Sequence, residues 1–166
     1  MAALPDAEKL CVQLSRELKA RVTPASAMVG IHTGGAWVAE RLHAALGLQE
    51  PLGLLDPAFY RDDYAKQGLA RDPKRSKIPF AVEGRDLLLV DDVLYTGRTV
   101  RAAMNELFDY GRPASITLAV LAERDGRQLP VCAQFAGAKV QVPAGMRLRL
   151  KRDGAGRLSL ELERGA

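Results

Sequence analysis

The chain has 166 residues, 48% of them hydrophobic, 27% charged and 5% aromatic, which is enough to bury one sizeable core and matches a single domain spanning 1–166. No stretch approaches the roughly 18 uninterrupted apolar residues of a membrane span, and the start Met1-Ala2-Ala3-Leu4-Pro5-Asp6 has neither a basic nor an apolar leader segment, so a membrane partner is excluded and a cytoplasmic protein is expected. The 24 basic and 20 acidic residues leave a formal charge of +4; residues 1–119 are balanced, and the whole excess lies in 120–166, too small by itself to demonstrate nucleic-acid binding.

In chain order, Leu10, Leu14 and Leu18 recur every four residues between charged neighbours, which predicts an amphipathic helix with Asp6 as N-cap. The apolar run 25–31 predicts a buried strand. Thr33-Gly34-Gly35 follows as a turn, and 36–46 returns to helical spacing with Gly47 as its stop. Leu52 to Leu55 and Phe59-Tyr60 read as further strand, whereas 61–77 is charged, aperiodic and interrupted by Gly68 and Pro73, a loop long enough to be functional or disordered. A strand over 87–90, a helix over 100–110 closed by Gly111 and a strand over 115–121 complete an α/β pattern with a mainly parallel sheet flanked by helices.

The tail differs in kind. Met146, Leu148 and Leu150 alternate with Arg147, Arg149 and Lys151, the Asp153-Gly154-Ala155-Gly156 turn follows, and Leu158, Leu160 and Leu162 alternate with Ser159, Glu161 and Glu163. This predicts a C-terminal β-hairpin whose charged face is laced by cross-strand ion pairs. Cys11 and Cys132 are far apart and form no Cys-x-x-Cys pair. They are read as buried small apolar residues, which excludes a disulfide framework and a zinc knuckle.

Chemistry concentrates in residues 87–104, LLLVDDVLYTGRTVRAAM. An apolar strand ends in Asp91 and Asp92, a short loop follows, and a helix starts at once, at the carboxyl end of a parallel sheet where ligands of such folds bind. Loop amides, the Thr96 and Thr99 hydroxyls and the positive end of the helix dipole would cradle a phosphate, with Gly97 permitting close approach and Arg98 adding charge. The two carboxylates would repel that phosphate; they suit the hydroxyls of an attached sugar, or a metal. A sugar phosphate is the ligand expected. Walker A spacing fails, since Asp92 stands where its first glycine belongs, and no Gly-x-Gly-x-x-Gly is present. His32 reads as a structural strand-end histidine, Trp37 and Phe59 as core residues.

These residues resemble the phosphoribosyltransferase signature for 5-phosphoribosyl-1-diphosphate (PRPP). Val90-Asp91-Asp92-Val93-Leu94-Tyr95-Thr96-Gly97-Arg98-Thr99, with Gly111-Arg112-Pro113, Val29-Gly30-Ile31, Tyr60-Arg61-Asp62-Asp63 and Leu129-Pro130, is similar to the PyrR family over nearly the whole chain. The resemblance implies a type I phosphoribosyltransferase fold with a small hood, and two activities: uracil phosphoribosyl transfer, and uridine-nucleotide-dependent regulation of pyrimidine genes through mRNA. It implies that Asp91 and Asp92 bind the ribose hydroxyls and act with Arg61 in catalysis. Val93, Leu94, Tyr95, Thr96, Gly97, Arg98 and Thr99 would bind the 5′-phosphate. Thr33 and Gly34 would form the pyrophosphate loop, Tyr60 and Arg61 would open a flexible loop bringing Lys66, Lys74 and Arg75 over the polyanion, and Arg124 and Val140 would belong to the base-binding hood.

The implied cofactor is Mg2+ carried on PRPP or diphosphate, with no metal bound directly by the protein. The implied partners are PRPP, uracil, UMP or UTP, pyrimidine-operon mRNA rather than DNA, and a second copy of the chain in a homodimer or higher assembly. Gly34 stands where many family members carry arginine, and Asp125-Gly126 where regulatory members carry Gly-His. Two other readings stay open: a type I phosphoribosyltransferase for another base, and a nucleotide-sensing regulator with little catalysis.

Overall fold

The structure, a computed structural model, describes residues 3–60 and 76–165. The expectations for Arg61, Lys66, Lys74 and Arg75 lie outside the described residues, and those for the side chains of Phe59 and Tyr60 outside the described side chains.

Helix α1 (Ala7–Leu18) opens at Asp6, whose carboxylate accepts the amides of Glu8 at 2.9 Å and Lys9 at 3.1 Å. Those bonds, the Lys9 amide first, hold the Asp6 carboxyl below its usual pKa. Strand β1 (Ala27–Ile31) leads into helix α2 (Gly34–Leu46), closed by Gly47 in the left-handed region at φ 60°. Strand β2 (Gly53–Leu55) is followed by a single 3₁₀ turn, Pro57–Tyr60. Phe59-Tyr60 is therefore not strand: Pro57 lacks the amide that would continue the ladder. Strand β3 (Asp86–Leu94), helix α3 (Arg98–Tyr110), strand β4 (Ser115–Arg124) and strand β5 (Phe135–Val140) complete the sheet, and β6 (Met146–Arg152) with β7 (Leu158–Arg164) forms the hairpin.

The five-stranded sheet has the order β2-β1-β3-β4-β5 and every adjacent pair is parallel. Alternation divides its side chains between two cores. Met28, Leu88, Val90, Ala119 and Leu121 pack with α1, α2 and the apolar face of the hairpin, while Val29, Leu87, Leu89, Leu118 and Val120 pack with Val100, Ala103 and Leu107 of α3. Strand β5 gives no clear sequence signal, because Phe135-Ala136-Gly137-Ala138 is rich in residues of low β-propensity. Gly137 is required there, since a Cβ would come within 2.5 Å of the Leu121 carbonyl oxygen.

In the hairpin, Arg147 faces Glu163 and Arg149 faces Glu161. Arg149 Nε lies 3.3 Å from Glu163, and Lys151 pairs with the same carboxylate. The Lys151 hydrogen bond is the main reason the Glu163 carboxyl titrates below its ordinary value. Leu148, Leu150, Leu158 and Leu160 are buried, as the alternation requires. Of the two cysteines, Cys11 is buried, and burial pushes its thiol up to about 11. Cys132 corrects the sequence reading: it is exposed, in the irregular segment between β4 and β5 that lies over the sheet edge rather than in a strand. Trp37 packs against the first core as expected, with the Arg152 guanidinium 4.7 Å from its ring centroid. Among the described residues, no helix is long and apolar enough to cross a membrane.

Helix α2 rests almost directly on β1. A Cβ on Gly30 would stand 2.7 Å from Ala39 Cβ and 3.0 Å from Ala36 Cα. Replacing Gly30 by Ala must push α2 off the sheet, and a loss of about 1–3 kcal/mol is expected. Urea unfolding checks this, as a lower midpoint at unchanged slope.

Candidate active site

The two acids belong to the strand rather than to its end. β4 continues to Arg124, so the β3–β4 ladder runs on through Asp91 opposite Val120, Val93 opposite Ala122 and Leu94 opposite Glu123. Asp91 is buried and its Oδ1 accepts the Asp92 amide at 2.9 Å; Asp92 is half-buried and its Oδ1 accepts the Val93 amide at 2.8 Å. Each carboxylate is oriented by the next residue's N–H, which leaves Asp92 Oδ2 turned toward α2.

That helix begins two residues earlier than its apolar spacing suggests, at Gly34, because the glycines themselves form its first turn against β3. A Cβ on Gly34 would lie 2.1 Å from Asp92 Oδ2, and one on Gly35 would lie 2.8 Å from the Val90 carbonyl oxygen and 2.9 Å from Asp91 Oδ1. The Thr33-Gly34-Gly35 turn and the Asp91-Asp92 pair, about sixty residues apart in sequence, are in direct contact. His32 donates its amide to the Leu55 carbonyl at 2.8 Å, anchoring the turn to β2, and the His32-Thr33 peptide is cis.

After Leu94 the chain passes through Tyr95, Thr96 and Gly97 into α3, which starts at Arg98 instead of Val100. Gly97 has φ 92°, a left-handed conformation that favours glycine. The Arg98 amide donates to Thr96 Oγ1 at 3.2 Å, and the Thr96 carbonyl accepts the amides of Gln128 at 3.0 Å and Leu129 at 3.1 Å. Arg98 Nε donates to Gln128 Oε1 at 2.9 Å. The first turns of α2 and α3 thus bracket the acid pair toward the carboxyl end of the central strand, two positive helix ends around two carboxylates.

Arg124 and Val140 are register partners at the ends of β4 and β5. They line one cavity of about 950 Å³ together with Lys139, the N-terminal residues Leu4 and Pro5, and Leu162 of the hairpin. The Arg124 guanidinium stacks 3.9 Å from the Tyr95 ring centroid and donates to the Met146 carbonyl at 3.3 Å; its Nε is buried without a hydrogen-bond partner among the described residues. Tyr60 ends the 3₁₀ turn that packs against α3, and Arg61 lies outside the described residues.

Three residues of this region escape sequence reading. Arg127 bonds the Tyr95 carbonyl and Glu123, and its Nε donates to the Val131 carbonyl at 2.8 Å. Gly126, at φ 115°, lies beneath the Tyr95 ring, where a Cβ would meet Cε2 at 2.4 Å. The Asp125-Gly126 dipeptide signals a turn, but nothing local points to Tyr95. Leu162 enters the cavity wall only because the hairpin folds back over the sheet.

The donor set is one of hard oxygens. Asp91 and Asp92 supply carboxylate oxygens suited to sugar hydroxyls, and two carboxylates alone do not make a metal cage, so a magnesium ion here would be held mainly by the phosphates and water it arrives with.

A phosphoribosyl transferase domain model matches residues 1–142. A "Bifunctional protein PyrR" of Pseudomonas fluorescens is 47% identical over 165 residues, covering 97% of each chain. A protein of the same name from Nitrosococcus oceani is 54% identical over 126 residues, 75% of this chain and 71% of the relative. A hypoxanthine-guanine phosphoribosyltransferase from Bacillus anthracis superposes with a TM-score of 0.65 at 15% identity, over 87% of this chain and 85% of its own, a likeness of fold.

Replacing Gly34 by Ala should force the Asp92 carboxylate aside and cost about 1–3 kcal/mol. Measured by urea unfolding, the same substitution is expected to cost less in an Asp92→Ala background, because the two positions touch.

Proposed function

Since the chain belongs to the PyrR family of phosphoribosyl transferases, we propose that it joins uracil to PRPP, giving UMP and diphosphate, and that the same pocket senses uridine nucleotides to regulate pyrimidine genes by binding mRNA. The observation that carries the catalytic reading is the contact of Gly34 with Asp92, which gathers a phosphate-binding helix start and a sugar-binding acid pair into one place. Residues 1–166 act as one phosphoribosyltransferase domain.

Asp91 and Asp92 accept hydrogen bonds from the ribose hydroxyls, and their orientation by the Asp92 and Val93 amides means that little reorganisation accompanies binding. Residues 93–99 hold the 5′-phosphate: Gly97 lets the backbone approach, and Thr96 and Thr99 offer hydroxyls. Thr33 and Gly34 bind the diphosphate, and Tyr60 and Arg61 open the loop that supplies a cation to it. Mg2+ carried on PRPP would supply charge neutralisation for the leaving diphosphate.

Arg124 and Val140 belong to the hood that receives the base. Uracil N1 bonds to C1 as the C1–O bond to diphosphate breaks, and the N1 proton passes to water or to the departing diphosphate. The transition state has oxocarbenium character at C1, so the protein's contribution is to align base and sugar and to stabilise charge. The reading places the protein in the bacterial cytoplasm, where PRPP and nascent mRNA occur, as a homodimer or larger assembly.

The regulatory reading rests on family membership. Glu163 offsets Arg149 and Lys151 on the hairpin, so that face is a poor polyanion site, and the RNA contact belongs elsewhere on the chain.

Two experiments test these readings. Purified protein with uracil, PRPP and magnesium should form UMP and leave orotate, hypoxanthine and adenine unchanged, and Asp92→Asn should lower turnover at least about 100-fold while leaving the melting temperature intact. Turnover on another base instead would select the alternative acceptor. In gel shifts, pyrimidine-leader RNA should bind more tightly with added UMP and more weakly as salt rises; binding indifferent to both would refute the regulatory reading.

A further inference from the structure

Arg127 has no place in the chemistry above, yet its guanidinium makes three bonds at once. Nε donates to the Val131 carbonyl at 2.8 Å, one terminal nitrogen donates to the Tyr95 carbonyl, and the other donates to the Glu123 carboxylate. The two side chains are 24% and 21% exposed, so the pair is largely withdrawn from water. Glu123 stands in β4, in register with Leu94 of β3 and Lys139 of β5. One guanidinium therefore joins the loop after the acids, the segment after β4 and the sheet.

The same segment supports the next residues of the loop. The Thr96 carbonyl accepts the amides of Gln128 and Leu129 at 3.0 and 3.1 Å, Arg98 Nε donates to Gln128 Oε1 at 2.9 Å, and a Cβ on Gly97 would stand 3.2 Å from Val131 Cβ. Two successive carbonyls, those of Tyr95 and Thr96, are thus bonded from residues 127–129. The peptides that carry them are trans, and in a trans peptide the N–H points opposite to the C=O. The amides of Thr96 and Gly97 therefore turn away from that segment.

We propose that Arg127 is a positioning residue for the 5′-phosphate: by holding the Tyr95 carbonyl it fixes the direction of the Thr96 amide, and with it the set of loop amides that receives the phosphate. The inference rests on the reading that residues 93–99 bind that group. Donors aimed before the ligand arrives require little reorganisation when it binds. The residue type suits this part. A guanidinium presents its donors in a rigid planar fork, and here Nε and both terminal nitrogens are engaged on three separate acceptors, which the single ammonium of a lysine does not span. Its charge is matched by Glu123, so Arg127 acts through the geometry of the loop rather than as a cation on the phosphate.

The test is titration calorimetry on the full chain with UMP and with uridine, which lacks the phosphate. Arg127→Ala should weaken UMP about five- to tenfold, the scale of one lost hydrogen bond, and leave uridine within about twofold of wild type. Arg127→Lys keeps the charge without the fork and should weaken UMP as Arg127→Ala does. Glu123→Ala removes the brace and should weaken UMP about two- to threefold, whereas a guanidinium freed to attract phosphate by charge would tighten it. The double variant Arg127→Ala/Glu123→Ala should bind UMP no more weakly than Arg127→Ala alone, because Glu123 acts through that residue.

Wild-type UMP affinity in Arg127→Ala or Arg127→Lys overturns the proposal. So do equal losses for UMP and uridine, tighter UMP binding by Glu123→Ala, or additive losses in the double variant. If Arg127→Ala does not fold, Arg127→Lys and Glu123→Ala still decide. Wild-type protein that binds UMP no more tightly than uridine would instead refute the phosphate-loop reading on which the inference stands, and the inference with it.

Discussion

The contact between the first turn of α2 and the acid pair on β3 is the constraint around which the rest of this molecule is arranged. Gly34 and Gly35 have no side chains because Asp92 and the Val90–Asp91 backbone occupy the space a Cβ would need. That close approach is possible only if α2 lies flat on the sheet, which Gly30 allows, and only if β1 and β3 are hydrogen-bonded neighbours in register. The positive end of one helix thereby comes within reach of whatever the two carboxylates hold. A side chain at position 34 does not fit this arrangement unless the second acid moves.

A second layer of support surrounds the loop that follows the acids. Tyr95 is held from above by Arg124 and below by the space over Gly126, and its carbonyl is bonded by Arg127. Thr96 is tied by the Gln128 and Leu129 amides. Arg124, the last residue of β4, and the segment that follows it supply all of these, so that segment and the loop after the acids are one connected structure. Arg124 thereby touches the loop after the acids through an aromatic ring.

The hairpin and the N-terminus have a supporting part. Leu148, Leu150, Leu158 and Leu160 extend the core beneath α1, and Leu4, Pro5 and Leu162 reach the wall of the 950 Å³ cavity. Both ends of the described chain thus contribute to a pocket whose chemistry resides in its middle. The charged face of the hairpin is laced by its own ion pairs, which explains why the basic C-terminal excess does not amount to an anionic binding surface there.

Much of this was legible because local chemistry is loud in a few places. Apolar runs bounded by glycine and proline marked β1, β3, β4 and α2 to within a few residues, and LLLVDDVLYTGRT marked the site, since two acids beside a Thr-Gly-Arg-Thr turn have few other uses. Strand β5 was silent because alanine and glycine carry no β signal of their own; it forms because Gly137 can lie against the Leu121 carbonyl. The end of β3 was misread because polar residues ordinarily close a strand, and here ten-residue β4 carries the ladder past them. By itself the sequence determined the α/β class and the hairpin, since these depend on periodicity and on neighbours along the chain. Only the tertiary structure decided that Gly34 meets Asp92 and that Arg124 stacks on Tyr95, because each joins residues about thirty or more positions apart whose proximity is set by sheet order and helix packing rather than by any local preference.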